Sequence, residues 1–399
     1  MTPKNRLRVA IFFGGRSVEH EISIVTAHEA MGALDRRRYE PVPVYIGRDG
    51  RWLCGAPLAR LLTSDDYRAV FARERVRSLD ALLAEVTLVP VPGTSALRRI
   101  GGAHLDGPKT IPVDVFMPVL HGTFGEDGCL QGLFEMAEVA YTGCGLMAAG
   151  LGMHKQFAKQ LLAENGIDSM PGLLVRKPEF LDLDPLLARI TAAMPFPLFV
   201  KPCNLGSSVG ITQRSVADSV AALTEALAQV FRYDEEAIIE PFLPKMRELQ
   251  VAVFRGRETL VSAVEAPKVE GINTASSKYG TNMLTSGSKD SRRAGLSSAQ
   301  REFNPADIPP AVLAGVAETG RKIAEILGCT GIVRVDFFYH PAAGRLYFNE
   351  INTLPGSLSY FLFERLTPPV LFTDLLAKLI DSALELRARK DNFRRTHVF

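Results

Sequence analysis

The 399-residue chain has little of what marks a special environment. Its five cysteines (Cys54, Cys129, Cys144, Cys203 and Cys329) are odd in number, scattered, and contain no C-x-x-C pair. That argues against a disulfide framework or a zinc ribbon and fits a reducing compartment. No apolar run reaches the ~18 residues of a membrane-spanning helix. The opening MTPKNRLRVAIFF has too short an apolar run for a signal peptide, so the expected location is the cytoplasm. Charge of one sign is also missing: 46 Lys+Arg against 44 Asp+Glu leaves +2, so no nucleic-acid or membrane partner is expected. Internal repeats are absent. The composition, 47% hydrophobic and 23% charged, excludes a disordered, collagen-like or coiled-coil chain. At about 150 residues per domain, two or three domains are expected.

Arg8–Phe13 (RVAIFF) reads as a buried strand broken by Gly14-Gly15, with a helix following over about Val18–Leu34, the start of an α/β unit. A second apolar run, Val113–Leu120, ends in the loop HGTFGEDGCLQG (His121–Gly132), where ligands of open α/β sheets gather. A helix is expected over Met153–Asn165. Then come the strand PFPLFVKP, the loop GSSVG (Gly206–Gly210), a continuing strand ITQR, a helix from Ser215 to Phe231 and a strand over Ala237–Leu243. Further strands are expected near Leu249–Arg255 and Thr259–Glu265, and a helix over Pro310–Leu327. The expected domains are 1–148, 149–245 and 246–399, the last with a long polar loop over 267–298 that reads as a lid or a disordered stretch.

VRVDFFY and RLYFNEIN, either side of HPAAG, form a hairpin signal. Alternation puts Arg334, Asp336 and Phe338 on one face of the first strand and Phe348, Glu350 and Asn352 on one face of the second. If Phe338 pairs with Phe348, Asp336 lies opposite Glu350 and Arg334 opposite Asn352. Like charges directly opposite are destabilising, which calls for a cation between them. Two carboxylates and an amide oxygen suit Mg²⁺, and Arg334 suits an anionic substrate group. A solvated hairpin face with Arg334 bridging both acids is the equally weighted alternative.

Lys201 ends a buried-looking strand just before the glycine loop, and Lys155 offers a second ammonium for the same anion. On these residues alone, a plain strand end and hairpin turn is the simpler account. GSSVG also fits the G-x-S-x-G nucleophile elbow, but that motif needs a helix directly after it, and none is expected here.

GGRSVEHEIS (Gly14–Ser23), HGTFGEDGCLQG, YTGCG (Tyr141–Gly145), Met153-His154-Lys155, KPCNLGSSVG (Lys201–Gly210), Arg247-Glu248, Lys278-Tyr279, and RVDFF with NEINTLPG (Arg334–Gly356) run in one order over most of the chain. Together they resemble the D-alanine–D-alanine ligase family of the ATP-grasp superfamily. The resemblance implies a three-domain α/β and α+β ATP-grasp architecture, with an N-terminal parallel-sheet domain and two α+β domains that clasp ATP. It implies a carboxylate–amine ligase working through an acylphosphate, most simply joining two D-alanines for peptidoglycan precursors. A related ligase with another acceptor (a different D-amino acid, a hydroxy acid or an amine) is the alternative. Asp336, Glu350 and Asn352 would hold Mg²⁺, two ions, with Mn²⁺ as a substitute. Lys155, Lys201, Ser208 and Lys278 would contact ATP phosphates. Glu240 and Leu243 would face the adenine, and Glu248 the ribose. Glu19 would bind the donor ammonium, Ser207 would help orient it, Tyr279 would be a further catalytic residue, and Arg334 with the Gly356 N–H would stabilise the oxyanion. Partners are small amino-acid substrates, and a homodimer is implied.

Three departures from the family pattern stand out. His154 replaces the usual Asp before Lys155, with consequences for helix capping. Phe361 stands where a Ser usually grips the acceptor carboxylate; Ser357 and Ser359 are nearby substitutes if the backbone shifts. The lid is long and carries Lys289, Arg292 and Arg293.

Overall fold

The computed structural model describes residues 6–64, 66–72, 82–102, 108–206, 209–267 and 301–392. Three sheets follow one another along the chain. The first has seven strands, β1 (Leu7–Gly14), β2 (Tyr39–Ile46), β3 (Trp52–Cys54), β4 (Ala84–Leu88), β5 (Ala96–Gly102), β6 (Thr110–Pro112) and β7 (Val115–Pro118), in the order β6-β5-β4-β3-β2-β1-β7. Only β2-β1-β7 are parallel; β3 to β6 extend the sheet antiparallel. These edge strands are short and half-polar, which is why apolar runs do not reveal them.

The second sheet is antiparallel: β8 (Leu173–Arg176), β9 (Leu198–Pro202), β10 (Val216–Ala217) and β11 (Glu236–Pro241), in the order β10-β9-β11-β8. The third holds β12 (Arg247–Arg255), β13 (Thr259–Pro267), β14 (Arg301–Phe303), β15 (Gly331–His340) and β16 (Arg345–Asn352), in the order β14-β13-β12-β15-β16. The expected helix from Ser215 begins instead at Val220, because the Ser219 hydroxyl accepts from the Ala222 N–H. Residues Gln213–Ser215 form a short 3₁₀ turn rather than a continuing strand.

One face of the first sheet (Ile11, Phe13, Met117) packs on α1 (His20–Ala33) and on the C-terminal helix Phe372–Asp391 through Leu375, Leu376 and Leu379. The same core reaches Phe254 and Ile332 of the third sheet, so the two ends of the chain share it. The other face of the third sheet buries Val251, Val335 and Phe337 against the helices Pro310–Ile326 and Lys155–Glu164. The second sheet has a core of its own around Val200, Leu223 and Ile239. Along β15 the face that starts apolar at Ile332 turns polar at Arg334 and Asp336. The hydrophobic packing thus fixes in space the residues that carry charge.

Candidate active site

The hairpin pairs Arg334 with Asn352 and Asp336 with Glu350, as the alternation predicts. The expected Phe338–Phe348 pair does not form. A register shift after Asp336 sets Phe348 opposite Phe337, inside the core, and leaves Asn349 as the extra residue. Phe348 therefore leaves the polar face, and Asn349 and Glu350 both turn toward a cavity. Asp336 is fully buried. Arg334 holds it through two parallel bonds, Nε to Oδ1 at 2.7 Å and Nη2 to Oδ2 at 2.8 Å. Asn352 Nδ2 donates to the same Oδ2 at 3.2 Å. Burial pushes the Asp336 carboxyl up, Glu248 and Glu350 add to this, and Arg334 opposes it. Asp336, Glu350 and Asn352 are hard oxygen donors in register on one face, with Glu248 close by. That donor set fits Mg²⁺.

The cavity, about 600 Å³, lies between the second and third sheets. Its size is that of a pocket for one small organic ligand. Phe199, Phe242, Leu243 and Ile211 make an apolar wall, and Lys155, Lys201, Glu240 and Glu248 a polar one. Lys155 opens its helix, its backbone N–H bound to the Cys203 carbonyl at 3.1 Å. Its ammonium donates to the Leu205 carbonyl and stands 3.4 Å from Glu350. Lys201, at the end of β9, bonds Asn349 Oδ1 and Glu240 Oε2, each at 2.9 Å. Sequence reasoning missed Lys159, which pairs with the other Glu240 oxygen. Burial brings the Lys159 ammonium down to about 8. Burial works against the Glu240 charge too, yet Lys159 and Lys201 together hold that carboxyl below its ordinary value. Lys159 stands one helical turn after Lys155, the only hint of its place in the sequence.

His154 resolves one departure. Its Nδ1 accepts from the Phe157 N–H, capping the Lys155 helix, and its Nε2 meets Glu236 at 2.9 Å. It does the work of the usual Asp by another atom.

A narrow cleft adjoins the cavity, lined by Glu19, His121, Glu126, Arg334, Glu350 and Gly356. Glu19, just ahead of α1, lies against Gly122, where a methyl group would sit 2.5 Å from its Oε2 at φ +71°. Gly206 of the glycine loop is near the same oxygen, which a methyl group there would meet at 3.8 Å. His121 is a satisfied buried histidine, bonded to the Leu354 carbonyl through Nδ1 at 2.8 Å and to Thr26 Oγ1 through Nε2 at 2.9 Å. Burial drops it to about 4, which keeps it neutral. Glu126, unassigned by sequence reasoning, accepts from the Gly122 and Leu354 N–H groups. Burial, with Glu19 adding, pushes it up to about 8. Its signal was position alone, inside the acidic loop HGTFGEDG.

Of the expected site residues, Glu19, Arg334, Gly356, Lys155, Lys201, Glu240, Leu243, Glu248, Asp336, Glu350 and Asn352 line the cavity or its cleft or lie in direct contact with those that do. Ser207, Ser208, Lys278 and Tyr279 lie outside the described residues, as do Lys289, Arg292 and Arg293. Ser357 and Ser359 are buried, and residues 357–359 take φ values of 53°, 49° and 48°. Three left-handed non-glycine residues in a row cost about 1–2 kcal/mol each, strain that clusters at functional sites.

Among the described residues, no helix is long and apolar enough to cross a membrane. The family D-ala D-ala ligase N-terminus matches residues 8–144, and the family D-ala D-ala ligase C-terminus matches residues 161–381. A D-alanine–D-alanine ligase of Chlorobium limicola is 33% identical over 385 residues, covering 96% of this chain and 98% of its own. The structure of the D-alanine–D-alanine ligase from Coxiella burnetii superposes with a TM-score of 0.75 at 23% identity over 97% of both chains, a likeness of fold. That of a D-Ala:D-Ser ligase from Enterococcus faecalis gives 0.73 at 27% identity, covering 95% of this chain and all of the other. The chain belongs to the D-alanine–D-alanine ligase family, ATP-dependent carboxylate–amine ligases of ATP-grasp architecture.

Proposed function

We propose that the protein joins two D-alanine molecules at the cost of ATP, for peptidoglycan precursor synthesis. One observation carries the reading: Glu350, paired with Asp336, lines both the 600 Å³ cavity and the narrow cleft beside it. A nucleotide in the first and an amino acid in the second would meet there. The adenine lies on the apolar wall by Leu243 and Glu240, the ribose by Glu248, and the phosphates on Lys155 and Lys201, with Ser208 and Lys278 joining. Glu19 binds the donor ammonium and Ser207 helps orient it, with Tyr279 among the catalytic residues. The donor carboxylate then faces the γ-phosphorus.

A carboxylate is a poor electrophile, and phosphorylation gives its carbon a good leaving group. The donor oxygen displaces ADP from the γ-phosphorus. The acceptor amine attacks the acyl carbon, loses a proton, and phosphate departs. Arg334 and the Gly356 N–H stabilise the oxyanion of that second step. Asp336, Glu350 and Asn352 would hold the two Mg²⁺ ions, which neutralise phosphoryl charge when bound.

With this reading go a cytoplasmic location, a homodimer, and a division at 1–148, 149–245 and 246–399. In support of the division, the three sheets lie within residues 7–118, 173–241 and 247–352. The test is coupled release of ADP and phosphate by the full chain given ATP, Mg²⁺ and D-alanine. D-alanine-dependent release is expected, with the dipeptide as product. No release with D-alanine as both substrates would overturn the reading.

A further inference from the structure

The oxyanion donor of the proposed second step is a backbone N–H, that of Gly356, so its aim depends on what holds the turn around it. That turn is strained: Ser357, Leu358 and Ser359 all take left-handed φ. Such conformations persist only where the surroundings over-determine them. Here the surroundings are one stripe of α1.

Glu19, Ile22, Thr26 and Glu29 recur at spacings of three and four, so they share one side of the helix and of the residue before it. Glu19 and Ile22 line the cleft together with Gly356, and a methyl group on Gly356 would meet Ile22 Cγ2 at 3.8 Å. Thr26 Oγ1 accepts from the Ser357 N–H at 3.0 Å, and the Ser357 hydroxyl donates to Glu29.

Thr26 also reaches the turn from its other end. A carbonyl can only accept, so His121 Nδ1 donates to the Leu354 oxygen at 2.8 Å, and the neutral ring leaves Nε2 as an acceptor. The Thr26 hydroxyl lies 2.9 Å from Nε2 and 3.1 Å from the Ile22 carbonyl, which has the helix's own bond. Its single proton goes to Nε2, since a buried nitrogen left without a donor is costly. One relay thus runs from the Ser357 N–H through Thr26 and His121 to the Leu354 carbonyl, and all four residues are buried. Its two ends bracket Pro355 and Gly356.

We infer that Thr26, two helical turns beyond Glu19, is a positioning residue that aims the Gly356 N–H at the oxyanion; the inference rests on the ligase reading above. Thr26 lines neither the cavity nor the cleft and acts through Ser357 and His121. A rigid helix then sets the distance between the carboxylate that binds the donor ammonium and the N–H that receives charge from the same donor's carbonyl.

The experiment removes the hydroxyl from the full-length enzyme in two ways and restores it in a third. Thr26→Val keeps the shape, Thr26→Ala favours the helix, and Thr26→Ser brings the hydroxyl back. Losing an oxyanion donor costs about 100- to 1,000-fold in kcat, so displacing one should cost about 10- to 100-fold. That loss is expected in kcat for dipeptide formation in Thr26→Val and Thr26→Ala, with KM for ATP little changed and most of the rate recovered in Thr26→Ser. A tetrahedral phosphinate mimic of the dipeptide, titrated calorimetrically with ADP present, should lose affinity by the same factor, while ADP alone binds as in the wild type. His121→Leu cuts the relay at its middle, so Thr26→Val should add little to it. Thermal melts show which variants are folded. An unchanged kcat in either folded hydroxyl-free variant, equal losses for the phosphinate and ADP, or losses that multiply in the double variant would overturn the inference. Failure of the ligase reading looks different: the wild-type enzyme makes no dipeptide from D-alanine and does not bind the phosphinate, and the inference falls with it.

Discussion

Two buried charge clusters meet at Glu350, and they differ in sign. On the cavity side, Lys155, Lys159 and Lys201 outnumber Glu240 and Glu248. On the cleft side, Glu19, Glu126 and the buried Asp336 outnumber Arg334. Burying an ion without a partner costs several kcal/mol, so neither imbalance is a stability device. Each is complementary to something else: excess ammonium to phosphates, excess carboxylate to divalent cations and a substrate ammonium. A group that moves from nucleotide to amino acid crosses from one field to the other. The folded chain carries the imbalance in advance, which is the electrostatic preorganisation that phosphoryl transfer needs.

The largest effect should come from the acid-rich side. Asp336→Asn combined with Glu350→Gln should lower kcat by about a thousandfold or more, measured as ADP release, while the fold survives. Loss of only a few-fold would break the contrast drawn between the two clusters.

Next comes an asymmetry within the lysine-rich side. Glu240→Gln leaves two buried ammonium groups facing no carboxylate and should cost about 3–5 kcal/mol in denaturant unfolding. Lys159→Met leaves the Lys201–Glu240 pair intact and should cost far less. ATP should restore much of the Glu240→Gln loss, since its phosphates answer the same charge. Equal costs for the two variants would show that packing, not charge, sets the balance there.

A smaller effect separates two buried titrating groups by pH. Burial raises Glu29, on α1 behind the cleft, from 4.5 to about 7. Below pH 4.5 it is protonated in both folded and unfolded chains, and it has no effect. Above that the unfolded chain loses the proton first, so stability falls until about pH 7. Glu29→Gln should therefore gain up to about 3 kcal/mol at pH 8 and nothing at pH 4. His121 runs the other way. Its folded value is depressed, so stability is intact above its ordinary 6.5 and is lost as pH falls toward about 4. His121→Gln should flatten that acid limb in thermal melts between pH 7 and pH 4.5.

The hairpin was readable because period-two alternation and turn residues determine which side chains share a face. Arg334, Asp336, Glu350 and Asn352 needed nothing more. Asn349 was not readable: a bulge adds one residue to one strand, and no local pattern announces it, yet it alone turns the amide toward Lys201. The contact of Lys159 with Glu240 was out of reach for a different reason. Their pairing joins residues 81 apart in sequence through packing of a helix on β11. The short strands β3 to β6 lack the apolar runs that betray β1 and β7. The helix expected from Ser215 starts later because the Ser219 hydroxyl, four residues on, is the one that caps it.

The most direct test of the two-field account is the Mg²⁺ dependence of ATP affinity, measured by calorimetric titration on the full chain and on the Asp336→Asn, Glu350→Gln double variant. Wild-type protein should bind ATP markedly more tightly with Mg²⁺ present, and the double variant should lose that difference while keeping its affinity for metal-free ATP through Lys155 and Lys201. The same Mg²⁺ enhancement in both proteins would contradict the account.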